Sequence, residues 1–174
     1  MIRITLPDGS VKEFASAPTA AEVAASIGAG LAKSALGARV WTTAGGDGEL
    51  VDLAHRIAGD AKVAIVTAKN RDGTVSPDAL YLLRHSCAHV MAEAIQRLYP
   101  GVQLVYGPPL ETNFYYDMLF PDGKVMSADD FEKVEAEMAK IIAENRPFTR
   151  YELPIADGIR KLQGEGSKFK LDNA

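Results

Sequence analysis

The chain has one cysteine, Cys87, among 174 residues, which excludes an internal disulfide framework and fits a reducing compartment. It has no run of about 18 apolar residues, so no transmembrane helix and no membrane partner are expected. Its opening, MIRITLPDGS, lacks the apolar stretch of a signal peptide, and a cytoplasmic location is the expectation. Basic residues are not in excess: 19 lysines and arginines face 23 acidic residues, for a net charge of −4. A dedicated nucleic-acid binder usually carries the opposite balance. Neither an internal repeat nor a low-complexity stretch occurs, and no GxxxxGK[ST] segment is present, which excludes a phosphate-loop GTPase for this chain. What remains is 47% hydrophobic and 24% charged, the balance of an ordinary globular protein rather than a disordered, collagenous or coiled-coil one. The length suits one mid-sized domain or two small ones.

The pattern divides near residue 70. Ile2, Ile4 and Leu6 alternate with polar residues, Pro7-Asp8-Gly9-Ser10 supplies a turn, and Val11 to Phe14 alternates again; this is a hairpin. Thr19 and Glu22 form a capping box ahead of a short helix, ended by Gly28 and Gly30. Leu36 to Thr42 reads as a third strand, Gly45 to Gly48 as a loop, and Lys62 to Thr67 as a buried strand. Strands and one helix within residues 1–67 predict a small mixed unit of β-grasp type. Polar residues from Lys69 to Gly73 supply a linker, assigned to 68–77.

The second domain is expected over 78–174. Ser76 can cap a helix, Pro77 fits its first position and Asp78 complements its dipole; Pro100-Gly101 stops it after Tyr99. Val102 to Tyr106 and Thr112 to Met118 read as strands around a Gly107-Pro108-Pro109 loop. Ser127 to Asp130 begins another helix, with Phe131, Val134, Met138, Ile141 and Ile142 as its apolar stripe. Phe148 to Leu153 reads as a strand and the segment to Gln163 as a short helix. The fold class is therefore α+β: a long HxxxH helix packed on an antiparallel sheet, preceded by the small β-grasp unit.

His85 and His89 lie four apart on the long helix and so share a face. With His85 at zero and about 100° per residue, His89 falls near 40°, whereas Leu83, Cys87, Met91, Ala94 and Leu98 fall between about 160° and 240°. The main apolar stripe is thus expected opposite the histidines, with Ala88, Ala92 and Leu82 near the imidazoles. Two surface histidines on an amphipathic helix explain the pattern blandly. A cleft-lining pair explains it functionally: i,i+4 imidazoles converge on a zinc ion, or orient water and a substrate hydroxyl as groups titrating near neutrality. Zinc needs further ligands, but Cys87 points away on the wheel and His55 lies in the first domain, so no metal site is assigned.

Strand alternation would place Phe114 and Tyr116 on one face and Tyr115 and Asp117 on the other, so that one tyrosine hydroxyl reaches the cleft. Lys168 and Lys170 flank Phe169 near the C-terminus, where solvated lysines on a tail are the simple reading.

Taken together, Leu83-Arg84-His85-Ser86-Cys87-Ala88-His89, Gly107-Pro108-Pro109 and Phe114-Tyr115-Tyr116-Asp117 resemble the editing domain of the threonyl-tRNA synthetases. ITLPDGSVKEF through GLAKSALGARV to AIVTAKN resembles the TGS domain that precedes it in bacterial forms. The resemblance covers essentially the whole chain in family order. Alanyl-type editing modules also carry HxxxH, but the TGS-like front and the cysteine inside the motif favour the threonyl family. One position departs: Asn113 stands where the family has glycine, and asparagine tolerates a positive φ.

The resemblance implies post-transfer editing, the hydrolysis of mischarged seryl-tRNA, within a ligase that attaches threonine to its tRNA. It implies that His85 and His89 position the ribose hydroxyl and the attacking water, that Lys170 contacts substrate or water, and that Tyr116, Tyr115, Gly107 and Pro108 line the pocket. The tRNA acceptor end is the implied partner. The family's later CxxxH segment, its catalytic core with ATP, magnesium and zinc, and its dimerisation surface lie outside these residues. The editing domain is therefore expected to be incomplete, and the isolated piece inactive or weakly active. Two rival classes are a zinc-dependent hydrolase built on HxxxH and a non-catalytic RNA- or protein-binding module.

Overall fold

The computed structural model describes residues 1–42, 46–70, 72–146 and 151–172. The chain divides into two compact units, Met1–Leu83 and Arg84–Ala174.

In the first unit, β1 (Ile2–Thr5) and β2 (Val11–Phe14) pair antiparallel. The turn between them closes through the Gly9 amide on the Leu6 carbonyl, with Gly9 at φ 85°. The Asp8 carboxylate accepts the Ser10 amide and hydroxyl at 3.0 and 2.7 Å. The expected capping box is present: the Glu22 amide donates to Thr19 Oγ1 and the Thr19 amide to the Glu22 carboxylate, at 3.1 and 2.7 Å. It starts α1 (Ala20–Ile27). β3 (Ala35–Trp41), β4 (Glu49–Val51) and β5 (Ala61–Thr67) complete a sheet in the order β2-β1-β5-β3-β4, with β1 and β5 parallel at its centre. Ile4, Val23, Ala38, Ile57 and Val63 are all but fully buried between sheet and helix. Two elements were not expected. Gly28 interrupts the helix with an extended backbone rather than ending helical structure, and α2 (Ala29–Ser34) follows at once. β4 lies in the stretch after the glycine loop, of which Gly45 lies outside the described residues, as does Arg71 of the polar linker.

Helix α3 (Pro77–Leu98) begins in the first unit, where Ser76 Oγ accepts the Ala79 amide at 3.3 Å, and continues into the second. In the first unit Asp78 accepts two hydrogen bonds from Arg39, Nε at 2.9 Å and Nη2 at 2.5 Å.

The second unit sets α3 and α4 (Phe131–Ala143) against a two-stranded antiparallel sheet of β6 (Gln103–Tyr106) and β7 (Asp117–Leu119). Ala94, Ile95, Val102, Val134 and Ile141 form its core, surrounded by Leu104, Met118, Met126 and Met138. The mixed α+β class is as expected; three details are not. The second strand is only Asp117–Leu119: the ladder stops after the Tyr106–Asp117 pair and is touched again at the isolated Pro109–Phe114 bridge. On α4, Phe131 and Ile142 are 56% and 65% exposed: each sits roughly 60–80° around the helix from Val134, at the margin of the covered stripe. Tyr151–Leu153 forms no strand, and Phe148 to Arg150 lie outside the described residues. The last helices are α5 (Ile155–Gly164) and α6 (Lys168–Leu171).

One carboxylate in this unit is held unusually acidic. Asp130 is buried, accepts the Tyr99 hydroxyl at 2.6 Å, the Ser127 amide at 3.1 Å and Lys124 Nζ at 3.3 Å. The Tyr99 hydroxyl, before the other donors, pulls its pKa from 3.8 to about 2. A depressed carboxylate contributes stability that is complete above its unfolded pKa and is lost as pH falls through its folded one. The expected result is that the difference in thermal midpoint between wild type and Asp130→Asn is constant from neutrality to about pH 4 and shrinks toward pH 2. A difference that stays constant through this window would remove Asp130 as a source of acid sensitivity.

Candidate active site

The site is built on the second half of α3. His85 and His89 stack with ring centroids 4.8 Å apart and planes inclined by 28°. Both are exposed, and the covered side of the helix is broader than the stripe the wheel gave. Leu83 is 64% exposed, whereas Ala88, Ala92 and Ile95 are essentially buried. Ala94, at about 180° from His85, is buried as expected, and cover extends to about 280–340° at Ile95, Ala88 and Ala92, so the imidazoles border the packed face.

That border position sets the electrostatics. Burial, then the neighbouring His85, then the charge of Lys170 hold His89 below the usual histidine pKa of 6.5, so its neutral form dominates at pH 7. Lys170 sits on α6, which packs against β6; what reads in sequence as a lysine on a tail is placed by the fold within electrostatic reach of His89. Lys168 instead lies 5.7 Å from the Phe169 ring centroid.

The aromatic segment is positioned by close packing. A Cβ on Gly107 would lie 2.3 Å from Tyr116 Cδ2 and 2.6 Å from its Cγ. The Tyr116 ring therefore rests directly on the Gly107 backbone. It is half-buried, and burial raises its pKa, keeping the phenol neutral. Tyr115 is 43% exposed, so the burial alternation expected of a strand survives where the ladder does not. Pro108 follows Gly107, half-buried, and a bridge joins Pro109 to Phe114. The turn closes through the Leu110 amide on the Asn113 carbonyl at 2.7 Å. Asn113 needs no positive φ here; among described non-glycine residues Asn145 adopts one.

Arg84 stands inside the histidine motif, but its sequence context assigns it no role. Its Nη1 donates to the Glu111 carbonyl at 2.5 Å, linking α3 one residue before His85 to the turn before Tyr116. An arginine beside a histidine pair was the available signal, but a backbone carbonyl acceptor leaves no trace in side-chain patterns.

Among the described residues no group of three His, Cys, Asp or Glu is arranged to hold a metal ion. A cleft of about 400 Å³ lies in the first unit, lined by Leu6, Ile27, Leu31, Trp41 and the Arg39–Asp78 pair, with none of the expected site residues. Its Arg39 is already engaged by Asp78 and by the Asp47 and Gly48 carbonyls. No helix among the described residues is long and apolar enough to cross a membrane.

Comparison with known proteins adds three findings. Residues 2–67 match the TGS domain family. The chain is similar to the threonine–tRNA ligase of Novosphingobium aromaticivorans, 45% identical over 172 residues, covering 99% of this chain and 24% of that protein. It is likewise similar to those of Acidiphilium cryptum, at 43% over 99% of this chain and 25% of the relative, and Thiobacillus denitrificans, at 45% over 98% and 25%. The chain spans about a quarter of the length of the curated relatives it matches.

Proposed function

Since this chain carries a TGS domain and is related along 99% of its length to the N-terminal region of threonine–tRNA ligases, we propose that it supplies such a cytoplasmic ligase with post-transfer editing. In this reading residues 1–67 are the TGS domain, 68–77 a linker and 78–174 the editing domain. The domain receives the acceptor end of seryl-tRNA and hydrolyses the ester. The single observation that carries the proposal is the stacked His85–His89 pair with the Lys170 charge beside it.

The chemical need is plain. Serine lacks only the methyl group of threonine, and a missing methyl supplies about 1–3 kcal/mol of discrimination in a binding pocket. A second site that destroys the wrong product raises fidelity past that limit. In the hydrolysis, water oxygen attacks the acyl carbon, the bond from that carbon to the ribose oxygen breaks, and the ribose oxygen takes up a proton. A neutral His89 accepts a hydrogen bond from the attacking water and draws off its proton; His85 orients the adjacent ribose hydroxyl. Lys170 bears on substrate or water, and Tyr116, with Tyr115, Gly107 and Pro108, bounds the pocket. ATP, magnesium and zinc would serve the synthetic reaction elsewhere in the whole enzyme, whose dimerisation would also rest on other domains. No step proposed here runs through them.

The test is to place this chain in the matching quarter of the Novosphingobium ligase and follow both esters. Seryl-tRNA should be deacylated and threonyl-tRNA spared, with threonine charging as the control for a folded enzyme. A chimera that charges threonine but leaves seryl-tRNA intact would favour the binding-module reading and end the editing one.

A further inference from the structure

We propose that Arg84 is a positioning residue, a tether that sets where the Tyr116-bearing loop stands relative to the His85–His89 face. The inference rests on the editing reading of that face but names a part of it that sequence and relatives do not assign. Three observations carry it. Arg84 directly precedes His85 on α3, and its Nη1 reaches the Glu111 carbonyl, 27 residues away, at 2.5 Å. Glu111 lies within the turn closed by Leu110 and Asn113, beside the Pro109–Phe114 bridge. Beyond that bridge the chain runs to Tyr116, whose ring is stacked on Gly107 at the other end of the same loop. A guanidinium hydrogen-bonded to a backbone carbonyl fixes main chain rather than a side chain. Tethering Glu111 therefore constrains the whole 107–116 loop, which its own single turn bond and bridge hold only locally.

The physical logic is preorganisation. A hydrolytic pocket loses rate when its walls wander by an ångström from the reacting groups. The loop has little ladder of its own: beyond the Tyr106–Asp117 pair an isolated Pro109–Phe114 bridge joins its two sides. A charge-assisted bond from the helix that carries the histidines supplies the missing constraint.

The test follows amide exchange on the 174-residue chain and ligand binding on the chimeric ligase, which supplies the rest of the editing domain. Arg84→Met keeps an unbranched stem and removes the donor; Arg84→Lys keeps a donor able to serve one carbonyl. Residue-resolved amide exchange and binding of an adenosine carrying serine through a 3′-amide, a hydrolysis-resistant ester mimic, are measured on each. In Arg84→Met the Leu110 amide and its neighbours up to 116 should exchange about tenfold faster. The α3 amides beyond His85 should be unchanged, and affinity for the amide should fall by a similar factor at an unchanged melting temperature. Arg84→Lys should restore most of both. Loop exchange and affinity identical to wild type in Arg84→Met would overturn the tether. A chimeric ligase without substitutions at 84 that ignores the amide, with loop exchange nonetheless accelerated in Arg84→Met, would overturn the editing reading while supporting the tether, so the two failures are distinct.

Discussion

Replacing His85 by alanine should slow deacylation of seryl-tRNA by about 10²–10⁴-fold in the chimeric ligase, the range expected for loss of a group that positions or transfers a proton, and leave threonine charging unchanged. The argument is geometric before it is electrostatic. The two imidazoles are stacked 4.8 Å apart, too close to act on unrelated partners, so removal of one exposes the other to water and undoes the shared orientation. His89→Ala should cost at least as much, because His89 is the ring whose neutral form the surroundings favour. Burial first, then His85, then Lys170 lower its pKa, so the base-competent form forms at lower pH than in a free histidine. The rate should rise through a midpoint below 6.5 and stay level at neutrality. Lys170→Met should move that midpoint upward, since one of the charges opposing protonation is gone. Undiminished deacylation by His85→Ala would end the assignment of the pair. A rate that rises through a midpoint above 6.5 would end the assignment of His89 as the base.

The histidine pair was legible in sequence because a spacing of four on a helix of about 3.6 residues per turn puts two rings on one face whatever the fold does around them. The capping box of Thr19 and Glu22 and the turn at Gly9 were legible for the same reason: their chemistry is local. The covered side of α3 was legible only in part. Hydrophobicity pointed to Ala94, Met91 and Leu98, which do join the core, and to Leu83, which is exposed, while the burial of Ala88 and Ala92 depends on the partner surface as much as on the helix. β4 was missed because a three-residue edge strand carries too little alternation to register, and α2 because glycines read as terminators can also sit between two helices. Thr112 to Met118 read as a strand, and from Phe114 onward its burial does alternate, but the ladder covers only Asp117–Leu119. Lys170 and Arg84 show the remaining limit. One acts through a charge brought near by packing of α6, the other through a main-chain acceptor, and neither interaction leaves a periodic mark.

Gly107 offers the sharpest steric test of the pocket. Its backbone needs no left-handed conformation, so the requirement for glycine is one of space: a Cβ would come within 2.3, 2.6 and 2.7 Å of three Tyr116 ring atoms. Gly107→Ala should therefore drive the Tyr116 ring off its seat, with a loss of about 1–3 kcal/mol in stability, as for other overpacked sites. Affinity for the seryl-adenosine amide should fall with it. Tyr116→Ala alone should also weaken the site, by removing a wall. The informative variant is the double one. With the ring gone, the methyl at 107 has nothing to strike, so Gly107→Ala should cost almost nothing in the Tyr116→Ala background, a strong non-additivity between contacting residues. Denaturant unfolding of the four proteins decides it. If the two losses simply add, the Cβ is being tolerated by backbone movement elsewhere, and Tyr116 is not held by its contact with Gly107. If they do not add, that contact places the ring, and the loop carrying Pro108 and Tyr115 can be treated as one preorganised wall of the site.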